Sequence, residues 1–191
     1  SMSSHEGNLY VGLGTTANES EVWMWNGSTW SQIGGDSLNS GWAANYEEVN
    51  SLASFGGDLY AGLGNRNSDA EVWMWNGTSW TKIGGDSLNS SWDSTFEQIE
   101  SLIQFNNKLY VGLGNSAGDG EVWELDDTTW TKIGGDDLNN SWADGTYERV
   151  RTLATYNGDL YAGLGSGTGE GEVWKYSDGS WTKVGGNSVN T

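Results

Sequence analysis

One six-residue motif returns four times along this chain at an almost constant interval. Leu-Tyr-Ala-Gly-Leu-Gly occupies residues 59–64, and the same motif or a close variant occupies residues 9–14, 109–114 and 160–165. Successive copies begin 50, 50 and 51 residues apart. A fixed period of this length is the signature of a repeat architecture, in which each unit packs against its neighbours. The 191 residues therefore predict a single repeat domain, with units at approximately residues 1–40, 41–90, 91–140 and 141–191.

Each repeat contains four short segments that are typical of antiparallel strands. Residues 97–105 represent the first segment, and the Leu-Tyr-Ala-Gly-Leu-Gly motif is the second. Residues 71–75 and 79–83 represent the third and the fourth. Asn76-Gly77 lies between these last two, and this dipeptide is the strongest short-range signal of a two-residue β-hairpin. The repeat therefore predicts a four-stranded meander.

The third strand is apolar on both of its faces. Val72 and Met74 alternate with Trp73 and Trp75, so each face of the sheet must be covered by another layer. Radial stacking of four-stranded blades meets this need. The sequence therefore predicts an all-β fold, a β-propeller with four four-stranded antiparallel blades per chain. It also predicts burial between blades for the Trp residues of the third and fourth strands, which are Trp23, Trp73, Trp123, Trp174, Trp30, Trp80, Trp130 and Trp181.

The recurring runs Leu-Tyr-Ala-Gly, Glu-Val-Trp and Trp-Thr-Lys-Ile-Gly-Gly resemble β-propeller blades. They are similar to the blades of kelch-like and tachylectin-type lectin propellers. The resemblance implies that the first strand of each blade lies nearest the axis. It also implies that the two longest connections of each repeat share one face of the ring, which is the usual place for binding on a rigid scaffold.

A loop between repeats carries the same polar and aromatic residues three times. A Trp face covers the C–H side of a sugar ring, while Asp and Asn hydrogen-bond its hydroxyls, so this set is a candidate ligand-binding site. The alternative is structural: the Trp folds back and fills the groove between two blades. The candidate residues are Asp36, Asn39, Trp42, Asp86, Asn89, Trp92, Asp136, Asn139 and Trp142.

The charge balance narrows the choice of partners. The formal net charge is −18, from 26 acidic and eight basic residues, and such a field repels nucleic acid. No apolar run is long enough to predict a membrane span.

Two sets of Glu recur at the strand ends, and we expect them to satisfy loop N–H groups or to pair with Lys and Arg of the next blade. A calcium site is the alternative; the sets are Glu47, Glu97 and Glu148, and Glu21, Glu71, Glu121 and Glu172.

The sequence favours binding over catalysis. One His and no Cys cannot supply a Ser/His/Asp or Cys/His apparatus, so we do not expect an enzyme. The first interpretation is a carbohydrate-binding, lectin-like module with a glycan ligand bound by the loops between blades. The alternative is a scaffold that binds proteins or assembles with itself, natural or engineered. For ring closure we expect a homodimer, with two chains forming an eight-bladed ring, over a four-bladed monomer or a part of a longer ring.

Overall fold

The computed structural model confirms the all-β architecture, with sixteen strands in four separate antiparallel sheets. It describes residues 1–66, 68–143, 145, 147–187 and 189. Outside this description lie one residue of the predicted unit 41–90, Asn67, and five of the predicted unit 141–191, which are Asp144, Thr146, Ser188, Asn190 and Thr191. Blades 1 and 2 contain β1 (Met2–His5), β2 (Asn8–Gly12), β3 (Val22–Trp25), β4 (Trp30–Gly34), β5 (Val49–Phe55), β6 (Asp58–Leu63), β7 (Val72–Trp75) and β8 (Trp80–Gly84). Blades 3 and 4 contain β9 (Ile99–Phe105), β10 (Lys108–Leu113), β11 (Val122–Asp126), β12 (Thr129–Gly134), β13 (Val150–Tyr156), β14 (Asp159–Leu164), β15 (Glu172–Ser177) and β16 (Ser180–Gly185).

Within every blade the strands follow one another in chain order, so each sheet is a simple meander. Short hairpins connect the first strand of a blade to the second and the third to the fourth, whereas a longer loop connects the second to the third. Between β9 and β10 both Asn106 and Asn107 take positive φ, 46° and 60°, which is the conformation of a two-residue turn that matches strand twist. Between β7 and β8 the Asn76 side-chain oxygen accepts hydrogen bonds from the main-chain N–H groups of Thr78 and Ser79. Among the described residues, helix occurs in three single turns, Leu38–Ser40, Leu88–Ser90 and Leu138–Asn140.

Each blade presents two apolar faces, and we name them by direction along the chain. The leading face points to the preceding blade, and the trailing face points to the following one. Between blades 1 and 2, the trailing face of blade 1 and the leading face of blade 2 form one buried cluster. Equivalent clusters lie between blades 2 and 3 and between blades 3 and 4. The first cluster contains Tyr10, Val22, Ile33, Trp42, Leu59, Ala61, Leu63, Trp75 and Trp80.

The two outermost faces are uncovered. Leu63 of blade 2 is 0% exposed, whereas Leu13 at the equivalent position of blade 1 is 46% exposed. On the trailing side, Val72 is 0% exposed and the equivalent Val173 of blade 4 is 42% exposed. The four blades therefore do not close into a ring through these faces in this structure.

The predicted burial of the Trp residues is confirmed for Trp80, Trp130 and Trp181, each 2% exposed. It is wrong for Trp30, which is 47% exposed, because no preceding blade covers the leading face of blade 1. The prediction is also not met by the third-strand residues, which are only half-buried: Trp23, Trp73, Trp123 and Trp174.

Candidate functional site

The three loop Trp residues that the sequence predicted as candidate sugar-binding residues lie inside the junctions between blades. Trp42, Trp92 and Trp142 are 1%, 1% and 2% exposed. Trp42 packs edge-to-face on Trp80 of the next blade, with ring centroids 5.2 Å apart. The indole nitrogens of the three loop Trp residues donate hydrogen bonds to main-chain carbonyl oxygens of the preceding loop. The acceptors are the oxygens of Ser20, Ala70 and Gly120, at 2.8, 2.6 and 2.5 Å. Since both faces of each ring are covered, this burial supports the structural interpretation.

The Asn residues of the same loops hold the chain in place. The side-chain amides of Asn39, Asn89 and Asn139 donate to the carbonyl oxygens of Ile33, Ile83 and Ile133 at 2.9–3.0 Å. The same three residues adopt left-handed φ of 53–56°, a conformation that Asn tolerates better than most residues. They therefore shape the outer turn of each connection.

The predicted Asp residues differ from one repeat to the next. Asp86 forms an ion pair with Lys82, and Asp136 forms one with Lys132. In the first repeat Gln32 stands at the position of Lys82, so Asp36 has no Lys at that place. None of the three Asp residues lies against an exposed aromatic face of its own loop, because the loop Trp is buried.

The Glu that precedes each Val-Trp pair forms a network inside its own blade. Glu71 accepts a hydrogen bond of 2.7 Å from the indole nitrogen of Trp73 and pairs with Lys82. The same arrangement recurs at Glu121 and at Glu172. The predicted pairing with Lys of the next blade is therefore wrong for this set, because the β-hairpin of β7 and β8 brings Lys82 beside Glu71. Glu47 pairs with Arg66, also within one blade.

Stronger burial at Glu121 and one additional hydroxyl at Glu172 together distinguish two of these networks electrostatically. Burial raises the pKa of Glu121 to about 7 despite its bonds to Lys132 and Trp123. Burial also acts on Glu172, but the bonds from Lys183, Trp174 and Tyr147 outweigh it, and the pKa of Glu172 is lowered. The position of Tyr147 is occupied by Phe96 in the preceding repeat, and Phe has no hydroxyl to donate. The extra hydrogen bond favours the ionised form of Glu172.

A metal centre has no support in the part of the chain that the structure describes. No group of three or more His, Cys, Asp or Glu side chains there is arranged to hold a metal ion. The calcium site therefore stays a prediction without a ligand set. Nor does any described helix have the length and apolarity to cross a membrane.

Concave surface occurs instead on the opposite side of the blades, where the short hairpins of adjacent blades meet. A groove lies at each of the three junctions, and we number the grooves along the chain. Groove 1 has a volume of about 490 Å³, whereas grooves 2 and 3 are narrower, about 160 and 240 Å³. Groove 1 is lined by Glu6, Asn8, Tyr10, Met24, Ile33, Asn39, Trp75, Gly77 and Thr78.

Groove 1 combines aromatic walls with neutral polar groups. Tyr10 and Trp75 come from facing blades, and the Tyr10 hydroxyl is hydrogen-bonded to Asn8. Burial raises the pKa of Tyr10, so this hydroxyl is neutral at physiological pH. Asn39, one of the residues predicted from the loop pattern, contributes its side chain to the rim. Chemically, the groove offers amides and hydroxyls beside an apolar surface.

Sequence reasoning missed Asn8, Tyr10, Trp75 and Thr78 as possible site residues. The pattern indicated that Tyr10 and Trp75 are core residues and that Asn8 and Thr78 belong to hairpin turns. The four residues come from two blades. The facing pair, Tyr10 and Trp75, is 65 positions apart in sequence. Only the packing of one blade on the next brings them together.

Comparison with known proteins shows the fold. No family model matches the chain, and no curated protein matches it. Among solved structures, it is similar to PorZ of Porphyromonas gingivalis, a surface component of the type-IX secretion system, with TM-score 0.62, 15% identity and coverage of 93% of this chain and 25% of PorZ. It is also similar to a GH43B protein of a Bacteroides ovatus xyloglucan PUL, with TM-score 0.54, 14% identity and coverage of 100% and 40%. A Dyadobacter fermentans protein of unknown function gives TM-score 0.54 and 13% identity, with coverage of 97% and 68%.

The chain thus spans a quarter of the length of PorZ and two fifths of that of the GH43B protein. At these identities the likenesses concern the fold alone. Together with the four antiparallel sheets, they define the class: a β-propeller-like protein of four blades.

Proposed function

We propose that this chain is a non-catalytic binding module for a neutral, hydroxyl-rich carbohydrate, with groove 1 as the principal site. The observation that carries the proposal is the pairing of Tyr10 and Trp75 with Asn8, Asn39 and Thr78 in one cavity of about 490 Å³. Small-molecule sites commonly have volumes of roughly 300–1,000 Å³. Grooves 2 and 3 fall below that range, so groove 1 is the one of suitable size.

The chemistry of groove 1 suits a sugar better than a charged ligand. Sugar hydroxyls both donate and accept, and the side chains of Asn and Thr do the same. Tyr10 and Trp75 border the groove but expose only 4% and 6% of their surface, so the apolar contact they offer the C–H groups of a pyranose is small. A net charge of −18 disfavours anionic ligands. This proposal also agrees with the resemblance of the repeats to tachylectin-type lectin propellers.

A binding role is favoured over hydrolysis by the carboxylates of the groove. Glycoside hydrolysis commonly uses two carboxylic acids that flank the scissile bond. The described lining of groove 1 includes one carboxylate, that of Glu6. We therefore propose that a bound glycan is released unchanged.

Calorimetric titration with neutral oligosaccharides tests this function, after a glycan-array screen. Xyloglucan oligosaccharides are the first probes, a choice that rests only on the fold likeness to the GH43B protein. Asn8→Asp should weaken binding by at least about tenfold, since the new carboxylate can only accept hydrogen bonds. Asp occupies the equivalent positions 58 and 159, so the fold accepts it there.

Asp58→Asn is the matched control, because it makes the reverse change in blade 2 away from groove 1. We expect its affinity to equal that of the unmodified chain. Trp75→Leu is a second test, since Leu125 occupies the equivalent position of blade 3, and it should weaken binding while the chain stays folded. If no neutral glycan bound with saturation, the carbohydrate proposal would fail.

The second candidate is an assembly or protein-interaction scaffold without a small-molecule ligand. One observation favours it: the leading face of blade 1 and the trailing face of blade 4 expose apolar residues that the inner blades bury. A contiguous exposed apolar surface is typical of a protein–protein contact.

A further inference from the structure

The two uncovered faces have the composition of the faces that are covered. On the leading side, Leu9, Leu13 and Trp30 of blade 1 are exposed, and their equivalents in blades 2, 3 and 4 are all buried. Val11, Leu13, Trp23 and Trp30 line one continuous apolar hollow on this face. On the trailing side, Tyr156 and Val173 of blade 4 are exposed. Each face is thus one half of a junction that the chain forms three times internally.

The internal junctions also show how the two halves fit. Gly34, Gly84 and Gly134 each lie against the indole ring of the next blade, those of Trp80, Trp130 and Trp181. A Cβ atom at any of these glycines would stand 2.8 Å from the indole nitrogen. At Gly185, the equivalent position of blade 4, the nearest side chain to such an atom is Val173 of the same blade, at 3.3 Å. The surface at Gly185 therefore has space where the inner blades hold a Trp.

Charge is distributed unevenly between the two ends of the chain. The first 50 residues contain no Lys or Arg, and four of the eight basic residues lie in blade 4 or just before it. Glu19 and Glu21 lie at the edge of the leading face of blade 1. Lys175 of blade 4 occupies the repeat position of Met24 and Met74. In blades 1 and 2 those two side chains pack against the following blade. Residues 141–191 carry six acidic and four basic residues, whereas residues 1–50 carry six acidic residues and no Lys or Arg. Docking the acidic first blade on this nearly neutral end therefore meets less repulsion than docking two acidic ends on each other.

We propose that the leading face of blade 1 in one copy docks on the trailing face of blade 4 in a second copy, and that two copies close head-to-tail into an eight-bladed ring. Trp30 of each copy lies on Gly185 of the other. Such a contact uses two different surfaces, so two-fold closure makes both junctions identical and leaves no apolar face uncovered.

The junction between copies is weaker than those inside the chain. Each internal junction is filled by a Trp from the connection between two blades, as Trp42 fills the first. Two separate chains have no such connection, so their junction contains less buried apolar surface. We therefore expect a dimer that dissociates on dilution.

Native mass spectrometry and multi-angle light scattering over a dilution series test the proposal. The unmodified chain should give a particle of twice the chain mass of 20.6 kDa, which converts to single chains at low concentration. Leu13→Glu on the leading face and Val173→Glu on the trailing face should each raise the dimer dissociation constant by at least about 30-fold, as loss of an interface hot spot does. Since both residues are exposed in the single chain, the circular dichroism spectrum and the unfolding midpoint at low concentration should not change.

Requiring both variants separates head-to-tail docking from other arrangements. A contact between two leading faces would respond to Leu13→Glu and not to Val173→Glu, and that result would overturn the proposal. A single chain at all concentrations would overturn it as well. Particles larger than two chains would show that head-to-tail contacts form an open chain, which contradicts the closed ring. Binding of glycan in groove 1 is measured separately, because groove 1 lies between blades 1 and 2 of one copy.

Discussion

The indole nitrogen of Trp80 donates a hydrogen bond of 2.8 Å to the main-chain carbonyl oxygen of Ile33. This bond joins the outer strand of one blade to the outer strand of the preceding blade. The same bond links Trp130 to Ile83 and Trp181 to Ile133. The indole ring of Trp is large and apolar apart from its one N–H group. Because that group has a hydrogen-bond acceptor here, the ring can be buried completely. The arrangement makes each junction specific as well as apolar.

The first prediction compares Trp80 with Trp30. Trp80→Ala should lower the free energy of unfolding by about 3–5 kcal/mol, because it removes a fully buried ring and leaves a cavity. Trp30→Ala should cost well under half as much in single chains, since that residue is already 47% exposed. Urea unfolding at low protein concentration provides the measurement. Equal losses for the two variants would contradict the assignment of blade 1 as the uncovered end.

The second prediction concerns the glycines that face the indole rings. Gly134→Ala should destabilise the chain by about 1–3 kcal/mol, because the new methyl group overlaps the Trp181 ring. Gly185→Ala is the matched control, and its methyl group meets only Val173 of its own blade. We expect the control to change stability by less than about 1 kcal/mol in single chains. Thermal unfolding of both variants at low concentration tests this difference.

The third prediction separates the structural role of the loop Trp residues from ligand binding. Trp92→Phe keeps an aromatic ring but leaves the carbonyl oxygen of Ala70 without the indole donor, so it should cost about 1–3 kcal/mol. Glycan affinity at groove 1 should stay unchanged, because Trp92 lies at the junction of blades 2 and 3. Calorimetry and urea unfolding on the same sample check both statements. Lost binding with full stability would restore the loop residues as a ligand site.

The fourth prediction is a pH dependence of stability from Glu121. Its pKa of about 7 in the folded chain lies above the ordinary Glu value of 4.5, so the folded state holds a proton that the unfolded state releases in this window. The free energy of unfolding should therefore fall as the pH rises from about 4.5 to about 7, by on the order of 1–3 kcal/mol. Glu121→Gln should flatten this part of the curve. Denaturant unfolding at several pH values measures the slope, and an unchanged slope would refute the assignment.

The fifth prediction uses the natural difference between two junctions. Phe96→Tyr should add the hydroxyl that Tyr147 donates to Glu172, and the pKa of Glu121 should fall because the ionised form gains a hydrogen bond. Tyr147→Phe should have the opposite effect and raise the pKa of Glu172. Carboxyl chemical shifts in an NMR titration report both values. If neither pKa moved, the hydroxyl would not be the cause of the difference between the two networks.

Much of the fold follows from local sequence signals. The 50-residue period, the Asn-Gly turns and the two-faced apolar strand predict the number of blades and the strand order, because turn chemistry and side-chain alternation act over a few residues. Strand positions agree closely as well: the predicted third segment, residues 71–75, corresponds to β7 at Val72–Trp75. The loop pattern of Asp, Asn and Trp, in contrast, is ambiguous from the sequence alone. A Trp beside Asp and Asn has the same sequence whether it plugs a junction or faces a ligand.

The sequence by itself determined that this chain forms repeated β blades with apolar surfaces on both sides. Only the tertiary structure decided which copies of a repeated residue are buried. Trp30 and Trp80 have the same place in their repeats, yet one is exposed and the other covered, because burial depends on whether a neighbouring blade is present. The same holds for groove 1, where Tyr10 and Trp75 meet across a junction. Local sequence encodes conformation, whereas a surface between two blades exists only after distant segments have packed together.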